Sequence, residues 1–239
     1  MFDRLLDIMF PQDECCICHK TGKYSSRKPW CSECQDNLLT LQCCCSTCEI
    51  CGKYLPEGGN LCMDCQHDPP SFDIARAVGP YVDPYRMTTK VLKFMGRKNL
   101  SIRMGEMMAE KVKQEPRYKH IDLIVPVPIS WSSLQQRGFN QTELLACQIS
   151  KHLSIPTDSR ALCRIKDTPS QTGLSKEERQ QNVCSAFKAS HPSKIKGKHI
   201  LLVDDVFTTG STSRECTRAL LEAGAARVCV ITWASGKGL

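Results

Sequence analysis

The chain has 239 residues, 24% of them charged and 41% hydrophobic, enough to bury one good core and carry a smaller appendage. No apolar run approaches the roughly 20 residues of a membrane-spanning helix. The formal net charge of +7 is unevenly spread: residues 1–70 hold 6 Lys/Arg against 10 Asp/Glu and residues 71–239 hold 26 against 15, so the second part would supply the grip on a polyanion.

The opening MFDRLLDIMF carries Asp3, Arg4 and Asp7 and has neither a basic lead-in nor a long apolar stretch. It reads as a short amphipathic helix with Phe2, Leu5, Leu6 and Met9 on one side, and not as a secretory signal.

Cysteine then dominates. Of 17 cysteines, 12 lie within residues 15–65. Four C-x-x-C pairs stand at Cys15/Cys18, Cys31/Cys34, Cys48/Cys51 and Cys62/Cys65, and CCICHK at 15–20 aligns with CEICGK at 48–53. One small unit is used twice. Two cysteines separated by two residues can turn both sulfurs to one ion, and a second pair completes a tetrahedron. Without a secretory signal, such pairs favour metal over disulfides. The simplest assignment places Cys15, Cys18, Cys31 and Cys34 on one zinc ion and Cys48, Cys51, Cys62 and Cys65 on another. A cross-braced pairing of first pair with third is an open alternative, and Cys43, Cys44 and Cys45 blur the count. All-thiolate zinc leaves no place for activated water, so its role is structural.

HDPPSF near 68–72 marks a linker. We therefore divide the chain into a Cys-rich zinc-binding module, 1–70, and a second domain, 71–239. Beyond the linker, strands and helices alternate. RAVGPY reads as an edge strand. Residues 84–97 read as a helix with Met87, Val91 and Phe94 or Met95 inward and a basic side at Lys90, Lys93 and Arg97. Ser101 to about Gln114 is a second helix, DLIVPVP at 122–128 a strand, and 140–153 a helix. DTPSQTGLSKEER leads into a helix whose Ser175 and Glu178 match a capping box. HILLVDD is the most apolar strand, Ser211–Ala223 a helix closed by Gly224, and RVCVIT a last strand. The alternation predicts an α/β domain with a parallel sheet covered on both faces.

ILLVDDVFTTGST, residues 200–212, carries the chemistry. An apolar strand ends on Asp204 and Asp205, and the loop Thr208, Thr209, Gly210, Ser211, Thr212 opens a helix. Free N–H groups at a helix start favour phosphate. Two carboxylates beside such a cup repel phosphate but suit the hydroxyls of the sugar that carries it. The stretch therefore fits a ribose 5-phosphate.

VDDVFTTGST resembles the phosphoribosyl-pyrophosphate (PRPP) motif of type I phosphoribosyltransferases. The resemblance implies that Asp204 and Asp205 hold the ribose 2- and 3-hydroxyls, that residues 208–212 cup the 5-phosphate, and that Mg²⁺ accompanies PRPP. Purine-salvage members have an aspartate where Thr208 stands, so the purine mechanism does not transfer. The earlier strand, where family members bind pyrophosphate, carries Pro126 and Pro128, which lack N–H donors. Arg137 in QQRGFNQ is the nearest guanidinium able to compensate.

The cysteine module together with LKFMGRKN, LIVPVPIS, RGFNQTELLA, DTPSQTGLSKEERQQNV and ILLVDDVFTTGST resembles the ComF/ComFC family of competence proteins over almost the whole chain. That resemblance implies natural transformation: a cytoplasmic protein, recruited to the inner face of the membrane by a partner, that works with a ComFA-type DNA translocase on incoming single-stranded DNA. Lys90, Lys93, Arg97 and Lys98, with Phe94 or Phe139 for stacking, are candidate DNA contacts; a solvated basic helix face is the bland alternative. Two other functions fit the same residues: an active phosphoribosyltransferase, with Arg164, Lys166, Lys176 and Arg179 flanking a segment that closes over the site, and a PRPP sensor. No catalytic residue is assigned.

Overall fold

The structure, a computed structural model, describes residues 12–43, 46–166 and 185–238. The amphipathic start, Cys44, Cys45 and the capping box at Ser175 and Glu178 lie outside the described residues.

The first cysteine module consists of an antiparallel pair, β1 (Gln12–Glu14) and β2 (Thr21–Tyr24), and helix α1 (Ser32–Cys43). The second repeats the plan with β3 (Ser46–Thr47), β4 (Tyr54–Leu55) and the short helix α2 (Met63–His67). The repeat extends to the backbone: the Cys15 N–H donates to Lys20 O at 3.0 Å, and the Cys48 N–H donates to Lys53 O at 2.8 Å.

The remaining elements are β5 (Ile74–Pro80), α3 (Tyr85–Phe94), α4 (Leu100–Gln114), β6 (Leu123–Pro126), α5 (Trp131–Arg137), α6 (Gln141–Leu153), the antiparallel pair β7 (Leu162–Arg164) and β8 (Phe187–Ala189), α7 (Pro192–Ile195), β9 (His199–Phe207), α8 (Ser211–Glu222) and β10 (Arg227–Ser235). Strands β5, β10, β9 and β6 form, in that order, a sheet in which every pairing is parallel. The parallel sheet, its central apolar strand and the edge position of RAVGPY match expectation. Helix α5 was not foreseen.

Side chains alternate across the sheet, and the alternation sorts the coverings. Ile74, Val78, Leu201, Val203, Cys229 and Ile231 pack with α3, α4, α6 and the first cysteine module. Ala75, Ile200, Leu202, Val228 and Val230 pack with α8 and the second module. The two modules therefore straddle edge strand β5, one on each face. The second is also bonded to the chain end. Ser235 Oγ donates to Gly52 O at 2.9 Å, the Tyr54 N–H to Gly236 O at 3.2 Å, and the Gly238 N–H to Tyr54 O at 2.7 Å. An edge strand exposes unpaired backbone groups, and here the Ala75 N–H finds Ile50 O at 2.8 Å.

The inward face of α3 differs from expectation. Tyr85, Thr88, Thr89, Val91 and Leu92 are buried, whereas Phe94 is 62% and Met95 54% exposed. The helix ends at Phe94 and Gly96 follows in a left-handed conformation (φ +67°), so these two aromatic and thioether groups leave the core as the chain turns away.

Candidate ligand pocket and cysteine clusters

In each cysteine module four sulfurs converge: those of Cys15, Cys18, Cys31 and Cys34, and those of Cys48, Cys51, Cys62 and Cys65, lie within 4.8 Å of one another. The simple assignment is therefore the geometry present, and cross-bracing is not. Cys18 and Cys31 Sγ are 3.7 Å apart, Cys51 and Cys62 Sγ 3.6 Å. A tetrahedral ion with metal–sulfur bonds of about 2.3 Å sets its sulfurs about 3.8 Å apart, so both clusters are sized for a metal and can hold zinc. The Cys31 N–H donates to Cys15 Sγ at 3.3 Å, support for a thiolate. Crowding divides the thiols. Hydrogen bonding with Cys51 holds Cys48 down to about 4, and the same contact pushes Cys51 far up. Four thiolates this close need a cation among them.

The acid pair sits where the sheet opens. Strand β6 ends at Pro126 opposite Val203, so Asp204 and Asp205 are the first β9 residues past that neighbour. Ligand crevices of open α/β sheets lie at such carboxyl ends. Helix α6 is pinned above the crevice. Asn140 caps it by accepting from the Thr142 N–H at 3.0 Å, and Thr142 Oγ1 donates to Val127 O at 2.6 Å.

Adjacent strand residues face opposite ways, and this separates two acids that the sequence presents as alike. Asp205 faces α3 and α6. It is ion-paired with Lys93 Nζ and accepts a hydrogen bond from Gln141 Nε2 at 3.5 Å. Burial would raise its pKa, but the Lys93 charge and hydrogen bond outweigh burial and hold it below the usual carboxylate value. Asp204 faces α8, where its Oδ1 accepts the Asp205 N–H at 2.8 Å. Burial, followed by the neighbouring Asp205 charge, raises its pKa well above the usual value. Both residues are less than a tenth exposed.

The loop after the acids is shaped for close approach. Gly210 has φ +81°, and a Cβ there would lie 2.6 Å from the Phe207 ring. Thr209 Oγ1 and Ser211 Oγ are 2.8 Å apart, and the Ser211 N–H donates to Thr209 Oγ1 at 3.3 Å. Helix α8 begins directly, with its first N–H groups and positive dipole end at the loop. Thr208 and Thr212 are half-buried in this turn. The second cysteine module forms one wall. A cleft of about 220 Å³ lies between α2 and the loop, lined by Met63, Asp64, His67, Asp68, Thr209, Ser211 and Arg214. Arg214 ties the two sides together through an ion pair with Asp68 at 3.1 Å and a further hydrogen bond to Asp68 O.

Arg137 reaches the acid pair indirectly. It is the last residue of α5, its Nη1 donates to Gln141 Oε1 at 2.9 Å, and its guanidinium lies 5.0 Å from the centre of the Phe94 ring. Its buried Nε has no partner among the described residues. Burial lowers its pKa against the opposing pull of Asp205. Among the candidate DNA contacts, Lys90 and Lys98 are exposed and Lys98 Nζ lies 4.8 Å from the centre of the Phe139 ring. Arg97 Nη1 donates to Glu14 O at 3.4 Å. Lys93 turns from that basic side into the pocket. Gln141, His67 and Arg214 were missed in the sequence. Gln141 lies within RGFNQTELLA and Arg214 two residues after TTGST, but His67 carried no signal beyond following the last cysteine by two.

A family model described as "Phosphoribosyl transferase domain" matches residues 143–238, which include the acid pair and the loop but neither Lys93 nor Arg137. Three curated relatives match far more. Competence protein F of Haemophilus influenzae is 30% identical over 219 residues, 90% of this chain and 94% of that protein. DNA utilization protein YhgH of Salmonella typhi is 35% identical over 189 residues, 77% of this chain and 82% of that protein. Competence protein ComFC of Bacillus subtilis is 30% identical over 186 residues, 75% of this chain and 73% of that protein. With its paired four-cysteine clusters and a parallel sheet ending on two buried acids, this chain belongs to the ComF/ComFC family of competence proteins.

Proposed function

We propose that this protein assists the uptake of single-stranded DNA in natural transformation and that its phosphoribosyltransferase-like part binds PRPP or a related ribose 5-phosphate with Mg²⁺. Residues 71–239 form the ligand-binding unit. Residues 1–70 form a module with one structural zinc ion in each cysteine cluster, an assignment supported by the tetrahedral sulfur spacing. Asp204 and Asp205 take the ribose hydroxyls, residues 208–212 the 5-phosphate, and Arg137 the pyrophosphate, its Nε being a donor without an acceptor among the described residues. Mg²⁺ neutralises the diphosphate as it binds.

The observation that carries the DNA part is the rim of the pocket. Phe94 is 62% exposed, lies under Arg137 and belongs to the helix that supplies Lys93. Trp131, 64% exposed, begins the helix that ends in Arg137. Exposed rings interleaved with cations suit stacked bases and a phosphate backbone without sequence preference. The names of the relatives favour the same role, as does the basic balance of residues 71–239. No described helix is long and apolar enough to cross a membrane. A cytoplasmic location, with recruitment to the inner membrane face by a ComFA-type translocase, fits a protein that receives DNA there.

Calorimetry with PRPP and Mg²⁺ on the wild type and on Asp204→Ala/Asp205→Ala, repeated with single-stranded DNA, tests the proposal. Wild-type binding lost in the double variant is expected. Equal heats from both proteins would remove the sugar reading. Release of pyrophosphate across a panel of bases would turn the reading toward an active transferase.

A further inference from the structure

Lys93 and Asp205 form a contact that ligand recognition of this kind does not require. The lysine comes from the last turn of α3, its side chain is 20% exposed, and its ammonium rests on an acid whose side chain is 7% exposed. Gln141 touches the same carboxylate and also holds Arg137, so Lys93 reaches the acid directly and Arg137 through one amide. In the free protein the pocket is thus already neutralised. A ribose that uses Asp205 must displace the ammonium, and a diphosphate arriving with that ribose offers it a new partner.

We propose that Lys93 is a tethered counter-ion: it occupies Asp205 in the free protein, keeps a lone divalent cation out, and passes to the ligand's pyrophosphate when the sugar binds. The proposal rests on the reading of Asp204 and Asp205 as the sugar-binding pair. Three features support it. The lysine stem is flexible, so the ammonium can move several ångströms without moving α3. Asp205 faces α3 and Asp204 faces α8, so the ammonium rests on Asp205, while Asp204 accepts the Asp205 N–H and shares a hydrogen bond with the Asp205 carboxyl. Finally, the charges of Lys93 and Arg137 repel a free divalent ion but attract a sugar diphosphate whose net charge stays negative with its metal. Lys93 therefore makes the pocket select the metal–diphosphate complex over either component.

The test compares Mn²⁺ binding, followed by electron paramagnetic resonance on the zinc-loaded full chain, with calorimetric PRPP binding in Mg²⁺. Lys93→Met is the first variant. Lys93→Gln is the second, because its amide can still donate to Asp205 if the first variant fails to fold. Removing the ammonium is expected to tighten Mn²⁺ binding at least tenfold, to weaken PRPP binding at least tenfold, and to have no effect on Mn²⁺ when Asp205→Asn is added. Equal Mn²⁺ affinity in wild type and Lys93→Gln overturns the counter-ion role, while wild-type PRPP binding in the same experiment leaves the sugar reading standing. Absence of PRPP binding to the wild type overturns the release step at its foundation, whatever Mn²⁺ does.

Discussion

Trp30 of the first cysteine module and Trp233 of the last strand lie with ring centroids 6.5 Å apart. Each ring is anchored: Trp30 Nε1 donates to Gln35 Oε1 at 2.6 Å, and Trp233 Nε1 to Thr88 Oγ1 at 2.9 Å. Tyr85 lies 5.1 Å from Trp233 and its hydroxyl donates to Leu38 O at 2.8 Å. The metal module and the sheet therefore share one core, and their stabilities are joined.

Trp30→Ala is expected to cost roughly 3 kcal/mol, the scale of a buried aromatic lost from a packed core. Zinc removal by a chelator should lower the melting temperature of the sheet as well as of the module, because Cys15 and Cys34 lie in the same buried cluster as Trp233. Calorimetry together with near-ultraviolet circular dichroism of the tryptophans checks both. A module that melts alone, with the sheet unmoved, would contradict the shared core.

Gly79→Ala tests the same junction from the strand side. A Cβ at Gly79 would lie 2.2 Å from the Tyr85 ring, which is fully buried and cannot retreat. Overpacking of this kind costs about 1–3 kcal/mol, readable as a fall in the denaturation midpoint.

Asp204 and Asp205 should pull stability in opposite directions with pH. The Asp204 pKa is raised by burial, so its contribution is fully present below the unfolded value near 3.8 and is lost as pH rises through the folded value. The Asp205 pKa is lowered, with burial overcome by Lys93. Its contribution is present above the unfolded value and is lost as pH falls through the folded one. Asp204→Asn should therefore stabilise the free protein at neutral pH, on the order of 1 kcal/mol, while abolishing PRPP binding. Urea titrations from about pH 2 to about pH 8 cover both transitions and separate the two acids.

Gly210→Ala should weaken ligand binding more than it lowers stability. The residue has φ +81°, which an alanine adopts only with strain, and the new methyl meets Phe207 inside the phosphate loop. A loss of at least tenfold in PRPP affinity is expected by calorimetry.

On single-stranded DNA, Phe94→Ala and Trp131→Ala should each lose about 1–3 kcal/mol of affinity with little change in salt slope. Lys98→Ala should instead lower the slope by about 0.7, the value for one phosphate contact on a single strand. Fluorescence anisotropy over a salt series distinguishes stacking from charge.

Much of this protein was legible in residue order because its signals are local. The C-x-x-C repeats announce two clusters, since two cysteines at that spacing can reach one ion only by turning together. The alternating apolar runs announce a parallel sheet, and VDDVFTTGST an acid pair before a phosphate cup. Local spacing determined the chemistry of each part. Tertiary structure decided how the parts meet: that the two modules straddle one edge strand, that Arg214 and Asp68 join the second module to the phosphate loop, and that Lys93 leaves its basic helix side for Asp205. Those relationships join residues tens to hundreds of positions apart. They depend on which sheet face each side chain takes and where α3 ends, and composition and periodicity encode neither.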